Sequence, residues 1–469
     1  MTFLESGGRW NNGHWWFKFT HVCQRWRNLI LGSASYLGLC LVCTNGTPVA
    51  DMLIHSPPLL LVIDYCCIDG DLVEEDEKGI NLALEHRERV HCIQLTIPVL
   101  NLQKFMFIMA IDEEYPMLEY LLLGPPTKNY SALTLPKTLQ APHLRRLAVA
   151  GGVTLLIGSR LFMTAVGLVS LCMAKSPYIQ PGVLLQLLSF LPQLENLIYS
   201  TFPVPSRDVE RQLIKTPITT HITLPNLRLF AVAGASAYLE ALFCRITTPR
   251  LEKLRIGFFK QLTFSVPRLL QFMNTIENFR SDRVEFKFYD EGVDVTVYPP
   301  EAKTAVFSIH VPCWHLDWQV TSVAQIFNAL SQMFSGVEHL TLGHEVHRHS
   351  SEEHNEVDRT EWRKLLKSFK NVKTLVVNGP LKELSGCLRL EDGELPLEVL
   401  PELQEVTYDG RGDADAFTPF IDSRQTAGRP VTLIPSRRVP SRRGGIAYPM
   451  SASRLGRWRA RNSAGLLPV

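Results

Sequence analysis

The chain has 469 residues, 46% of them hydrophobic and 20% charged, proportions that favour folding over most of its length. Its 48 basic and 46 acidic side chains leave a formal charge of +2, which excludes a global field for steering nucleic acid or an anionic membrane. The ten Cys lie mostly in apolar runs and form no metal-type series; they point to a reducing compartment, cytoplasm or nucleus, with no metal or cofactor expected.

Residues 1–20 form a divergent N-terminus rich in Gly and Trp. Beyond it, Val22, Trp26, Leu29 and Ile30 fall at i, i+4, i+7 and i+8. That spacing predicts an amphipathic helix with Trp26 as its largest buried group. Residues 21–58 are read as such helices and a linker, closing on Ser56-Pro57-Pro58.

From 59 to 434 the dominant signal is recurrence of a six-residue unit, apolar-x-x-apolar-x-apolar. It appears as Val90-Ile93-Leu95, Leu118-Leu121-Leu123, Leu144-Leu147-Val149, Leu168-Leu171-Met173, Leu194-Leu197-Tyr199, Leu227-Phe230-Val232 and Leu251-Leu254-Ile256. Val306-Ile309-Val311, Val337-Leu340-Leu342, Val372-Leu375-Val377 and Leu403-Val406-Tyr408 follow. The first six intervals are 28, 26, 24, 26, 33 and 24 residues; the next is 55 and leaves room for a divergent copy around Val284-Phe286-Phe288. The last two apolar residues of each unit are two apart and share one strand face, while the first turns the chain into the core. Pro116, Pro142, Pro192, Pro225, Pro249 and Pro401 precede their strands, where proline fixes a turn without disturbing the ladder.

Between strands, Gly182–Leu191, Val266–Ile276, Val320–Phe334 and Thr360–Phe369 have apolar residues at helical spacing. Val153–Ala174 is apolar enough to raise a membrane span, but Arg160 near its middle would cost about 2.5–3.5 kcal/mol there. The same stretch contains a repeat unit, so it is read as buried core, and no membrane is expected. The alternation predicts an α/β chain: a leucine-rich-repeat-like solenoid, with a curved parallel sheet and helices on its outer side. Residues 435–469 form a basic tail expected to be disordered, with eight Arg from Arg437 to Arg461.

The string Val22-Cys23-Gln24-Arg25-Trp26-Arg27-Asn28-Leu29-Ile30 resembles the second half of the F-box. Ser56–Ile63 and Phe420–Val431 resemble the linker and closing segment of fungal F-box and leucine-rich-repeat proteins. Residues 1–20 hold no Leu-Pro-x-Glu, the sequence that opens an F-box. The resemblance implies a short helical F-box-like segment ahead of the repeats. It also implies a substrate receptor of a cullin-RING (SCF-type) ubiquitin ligase: Val22, Trp26, Leu29 and Ile30 toward a Skp-type adaptor, the repeats toward a protein target. The alternative is a stand-alone repeat scaffold with no ligase link.

If each strand presents its intervening residues, the target-facing set comprises Tyr120, Arg146, Asn196, Lys253, Arg255 and His339, with Gln94, Thr341, Thr374 and Glu405 alongside and Leu122 and Leu229 as apolar members. Their mixed charge suits a protein surface, and nucleic acid is not expected. His339, His344, His347, His349 and His354 lack metal-ligand spacing and are read as an acidic-polar loop region. No phosphate loop, nucleophile elbow or dinucleotide fingerprint occurs, so no catalytic activity is expected.

Overall fold

The computed structural model describes residues 15–436 except 35, 68–69, 112–113, 127–132, 157, 202–217, 260, 262, 277–278, 280, 301–303, 346–358, 379–383, 385–386, 389–396 and 410–416. The described residues divide into two compact units, one of 15–179 and 186–201, the other of 180–185 and 218–436.

In the first unit the strands are β1 (Cys40–Thr44), β2 (Leu60–Cys66), β3 (Val90–Thr96), β4 (Tyr120–Gly124), β5 (Leu133–Thr134), β6 (Arg146–Ala150), β7 (Val153–Thr154), β8 (Ser170–Ser176) and β9 (Asn196–Thr201). β1-β2-β3-β4-β6-β8-β9 form a sheet in that order, parallel throughout, and β5 pairs with β7 separately. Parallel neighbours need crossover connections, which Val49–His55, Glu74–Glu85, Val99–Ile111 and Arg160–Thr164 supply as helices. The repeat residues stay in step across the sheet: Ile93, Leu121, Leu147, Leu171 and Leu197 pair in one row, and Leu95, Leu123, Val149, Met173 and Tyr199 in the next. All ten are buried, each contributing about 1.5–3 kcal/mol of transfer free energy. Helix Glu74–Glu85 packs on this face through Gly79, whose missing side chain matters: a Cβ there would lie 3.0 Å from Val49 Cγ2 and 3.1 Å from the Tyr65 hydroxyl.

The second unit contains β10 (Ile222–Thr223), β11 (Leu229–Gly234), β12 (Ile246–Thr247), β13 (Lys253–Phe258), β14 (Arg283–Tyr289), β15 (Gly292–Tyr298), β16 (Phe307–Pro312), β17 (His339–Glu345), β18 (Thr374–Asn378), β19 (Glu405–Asp409) and β20 (Thr432–Ser436). The sheet order is β11-β13-β16-β15-β14-β17-β18-β19-β20, with β10 and β12 paired apart. Aromatic side chains tie the helices to one sheet face. Phe286 meets Phe327 at 5.1 Å, Phe288 meets Trp362 at 5.4 Å and Phe230 meets Phe243 at 5.9 Å. Such pairs are worth about 0.5–1.5 kcal/mol beyond their area.

Several expectations are corrected. The divergent copy expected around Val284-Phe286-Phe288 is β14, which runs parallel to β17, but it has an unexpected antiparallel neighbour, β15. β14 and β15 form an antiparallel hairpin inserted between β16 and β17. Val293, Val295 and Val297 alternate as regularly as Val284, Phe286 and Phe288, and the two-residue Asp290–Glu291 turn joins them. Beside this hairpin, Phe307 enters the core with Ile309 and Val311, while Val306 is only half-buried. Tyr408 is also half-buried; the other apolar residues of the eleven units are buried. Residues 21–58 are not only helices and linker, because β1 lies there and pairs with β2. Val153–Ala174 folds as β7, the short helix Arg160–Thr164 and part of β8, with Arg160 exposed; no described helix is long and apolar enough to cross a membrane. The expected helices are present as Pro181–Ser189, Pro267–Asn274, Leu316–Ala329 and Arg359–Lys367, with ends shifted by a few residues. The tail beyond Ser436 and residues 1–14 lie outside the described residues.

Candidate functional site

Strand alternation that sends the repeat residues under the helices sends their neighbours to the opposite sheet face. In the first unit this face carries a row set by the strand register: Cys92, Tyr120, Arg146, Ser170 and Asn196. Three of the expected target-facing residues, Tyr120, Arg146 and Asn196, therefore stand together. Arg146 is exposed; Tyr120 and Asn196 are half-buried.

The next row is Gln94, Leu122, Ala148, Cys172 and Ile198. Toward β1, Val42, Val62 and Cys92 form a buried apolar cluster on which Cys40 and Tyr120 pack. Burial pushes the Cys40 thiol up to about 11 and the Cys92 thiol up to about 12. Burial also raises the Tyr120 phenol, with Cys92 and Cys172 adding to the effect. The charged forms of all three are thus disfavoured, and this part of the face carries no charge apart from Arg146 and Asp64.

The face of the second unit is chemically different. Lys253 and Arg255 stand two apart on β13, and Arg255 pairs in register with Ser308 of β16. Burial lowers the Arg255 pKa from its ordinary value. Across β15 and β14, the Tyr298 hydroxyl donates to Glu285 at 3.2 Å, Lys287 pairs with Glu285 at 3.0 Å and the Arg283 guanidinium lies 4.4 Å from the Tyr298 ring centroid. His310 Nδ1 lies 2.7 Å from Asp294. His339 is exposed and hydrogen-bonded to Thr374, but β17 is four strands from β13. At about 4.8 Å per strand, His339 and Arg255 do not share one contact point.

Leu229, expected on the exposed side, is buried. Glu285 and Lys287 on β14 and His310 on β16 lie between apolar residues that the repeat pattern contains; Asp294 and Tyr298 escape it because β15 lies outside that pattern. The alternation Val293-Val295-Val297 is the signal that would have found them.

The Trp26 expectation is overturned. Trp26 sits on helix Gln24–Gly32 and is 48% exposed, with Val22 and Leu29 more exposed still and Ile30 buried. Its ring stacks on that of Phe19, with centroids 5.8 Å apart. A nine-residue helix fixes only two turns, and the apolar stripe faces outward rather than into a core. Among the described residues no group of His, Cys, Asp or Glu could hold a metal ion, and His347, His349 and His354 lie outside them. No family model matches the chain, and no curated protein matches its sequence.

Proposed function

We propose that the chain is a non-enzymatic recognition protein of the cytoplasm or nucleus, an F-box-like substrate receptor of a cullin-RING ubiquitin ligase. In this reading the strands form a leucine-rich-repeat-like solenoid. The sheet face opposite the helices offers protein contacts in each unit by itself, Tyr120, Arg146 and Asn196 in the first and Lys253, Arg255 and His339 in the second. The stripe of Val22, Trp26 and Leu29 docks on a Skp-type adaptor. The observation that carries the reading is the outward-facing stripe: a large indole left half in solvent is the usual anchor of a protein contact. In-step repeat rows support the target-binding half, since they hold the intervening side chains in fixed positions.

Co-purification of the full chain with a Skp-type adaptor tests the proposal. Wild type should capture the adaptor, and Trp26→Ala should reduce capture at least tenfold while melting at nearly the same temperature. Equal, poor capture by both proteins overturns the ligase link and leaves a stand-alone repeat scaffold.

A further inference from the structure

We infer that Trp314 and Trp318, with the carboxylates of Asp290 and Glu291, form a docking surface for an arginine-rich linear segment of a partner protein. This surface is at the strand ends of the second unit, off the sheet face. It stands whether or not that face binds a target.

The surface is assembled from three pieces. The Asp290–Glu291 turn closes the β14–β15 hairpin. The backbone N–H of Cys313, just past β16, donates to the Glu291 carbonyl at 3.0 Å. Gln319, buried in the first turns of helix Leu316–Ala329, donates from Nε2 to the Tyr289 carbonyl at 2.6 Å and to the Cys313 carbonyl at 2.8 Å. These bonds hold the turn, the strand end and the helix start as one piece.

On that piece two indoles face solvent: Trp314 is 59% exposed and Trp318 is 55% exposed. The His315 ring meets the Trp318 ring edge at 5.1 Å and limits how it turns. Two Trp side chains more than half exposed within five residues, on a braced support, supply the aromatic anchors that protein contacts use.

Charge selects the occupant. The turn supplies two half-buried acids, Asp290 and Glu291, and residues 312–319 supply Asp317 and no Lys or Arg; Asp294, on the sheet face, is held by His310 at 2.7 Å and lies opposite Lys287, so it does not count toward this surface. Indole faces attract guanidinium groups, and the neighbouring carboxylates pair with them by forked hydrogen bonds. The same acids repel an anionic lipid surface, the other place where exposed Trp is favoured.

A synthetic Arg-Gly-Ser repeat peptide is the probe, titrated into the full chain while Trp fluorescence is followed. Saturable quenching is expected, weakened about tenfold or more by Trp318→Ala and, independently, by the double change Asp290→Asn with Glu291→Gln. A Glu-Gly-Ser peptide should not bind. Peptide affinity unchanged in both variants overturns the proposal, as does Trp318-dependent capture by phosphatidylserine vesicles without peptide binding.

Discussion

Arg424 donates from Nη2 to the Leu403 carbonyl at 3.1 Å, and the same nitrogen reaches the Pro401 carbonyl at 2.9 Å. The side chain is fully buried on helix Thr418–Thr426 and ties that helix to the turn entering β19. Among the described residues Nε and Nη1 have no hydrogen-bond partner, and the guanidinium lies 6.0 Å from the Phe420 ring centroid. Arg424→Ala leaves two carbonyls without a donor and a cavity behind, and should cost about 3 kcal/mol. Arg424→Met keeps volume and removes the buried charge, so it should cost clearly less than Ala. Urea unfolding of the three proteins checks this order. A Met variant as unstable as Ala would show that the hydrogen bonds, not the filled volume, hold the helix.

Leu254 pairs in register with Phe230 on one side and Phe307 on the other, and is fully buried. Leu254→Asp places a carboxylate in that row and should abolish cooperative melting of the second unit; Leu254→Ala should cost about 2–5 kcal/mol. Lys253→Ala, one residue away on the other face, should stay within about 0.5 kcal/mol. Unchanged melting of the Asp variant contradicts the row assignment.

These two cases mark what the sequence reveals. Leu254 announces itself by period: the unit Leu251-Leu254-Ile256 repeats a pattern whose spacing is the geometry of a strand entering a core. Arg424 announces nothing, because its partners are carbonyls about twenty residues upstream and no local pattern encodes them. The β14–β15 hairpin was hidden for a different reason. Alternation fixes which face a residue takes but not whether the neighbouring strand runs parallel, and the Asp290-Glu291 turn lacks the Gly that usually advertises a tight hairpin. The exposure of Trp26 is not legible in the sequence, because helical spacing identifies a stripe without saying what covers it.

The thiols divide into reactive and silent sets. With the thiol raised to about 12 by burial, Cys92 stays protonated at pH 8, where an ordinary thiol is partly ionised. Cys43, also raised to about 12 and buried, behaves alike. Iodoacetamide at pH 8 should therefore modify the exposed Cys23, Cys66 and Cys244 in the folded protein, and Cys43 and Cys92 only after denaturation. Peptide mass mapping reads the result; early labelling of Cys92 would mean that the apolar cluster with Val42 and Val62 opens in solution.

Glu240 caps a neighbouring helix. Its carboxylate accepts the backbone N–H of Arg268 at 2.6 Å and of Leu269 at 3.0 Å, at the start of helix Pro267–Asn274, where Val266 provides no side-chain cap. Glu240→Ala should cost about 1–2 kcal/mol. Burial raises the Glu240 pKa, outweighing the lowering by those two backbone donors and Arg268. A carboxyl raised by folding binds its proton more tightly in the folded chain, so its contribution is fully present below the unfolded value and declines as pH rises through the folded one. The stability advantage of wild type over Glu240→Gln should thus be largest in acid and shrink above the ordinary carboxylate range. An advantage that grows with pH would mean that the backbone N–H groups and the helix dipole, not burial, set the ionisation of Glu240.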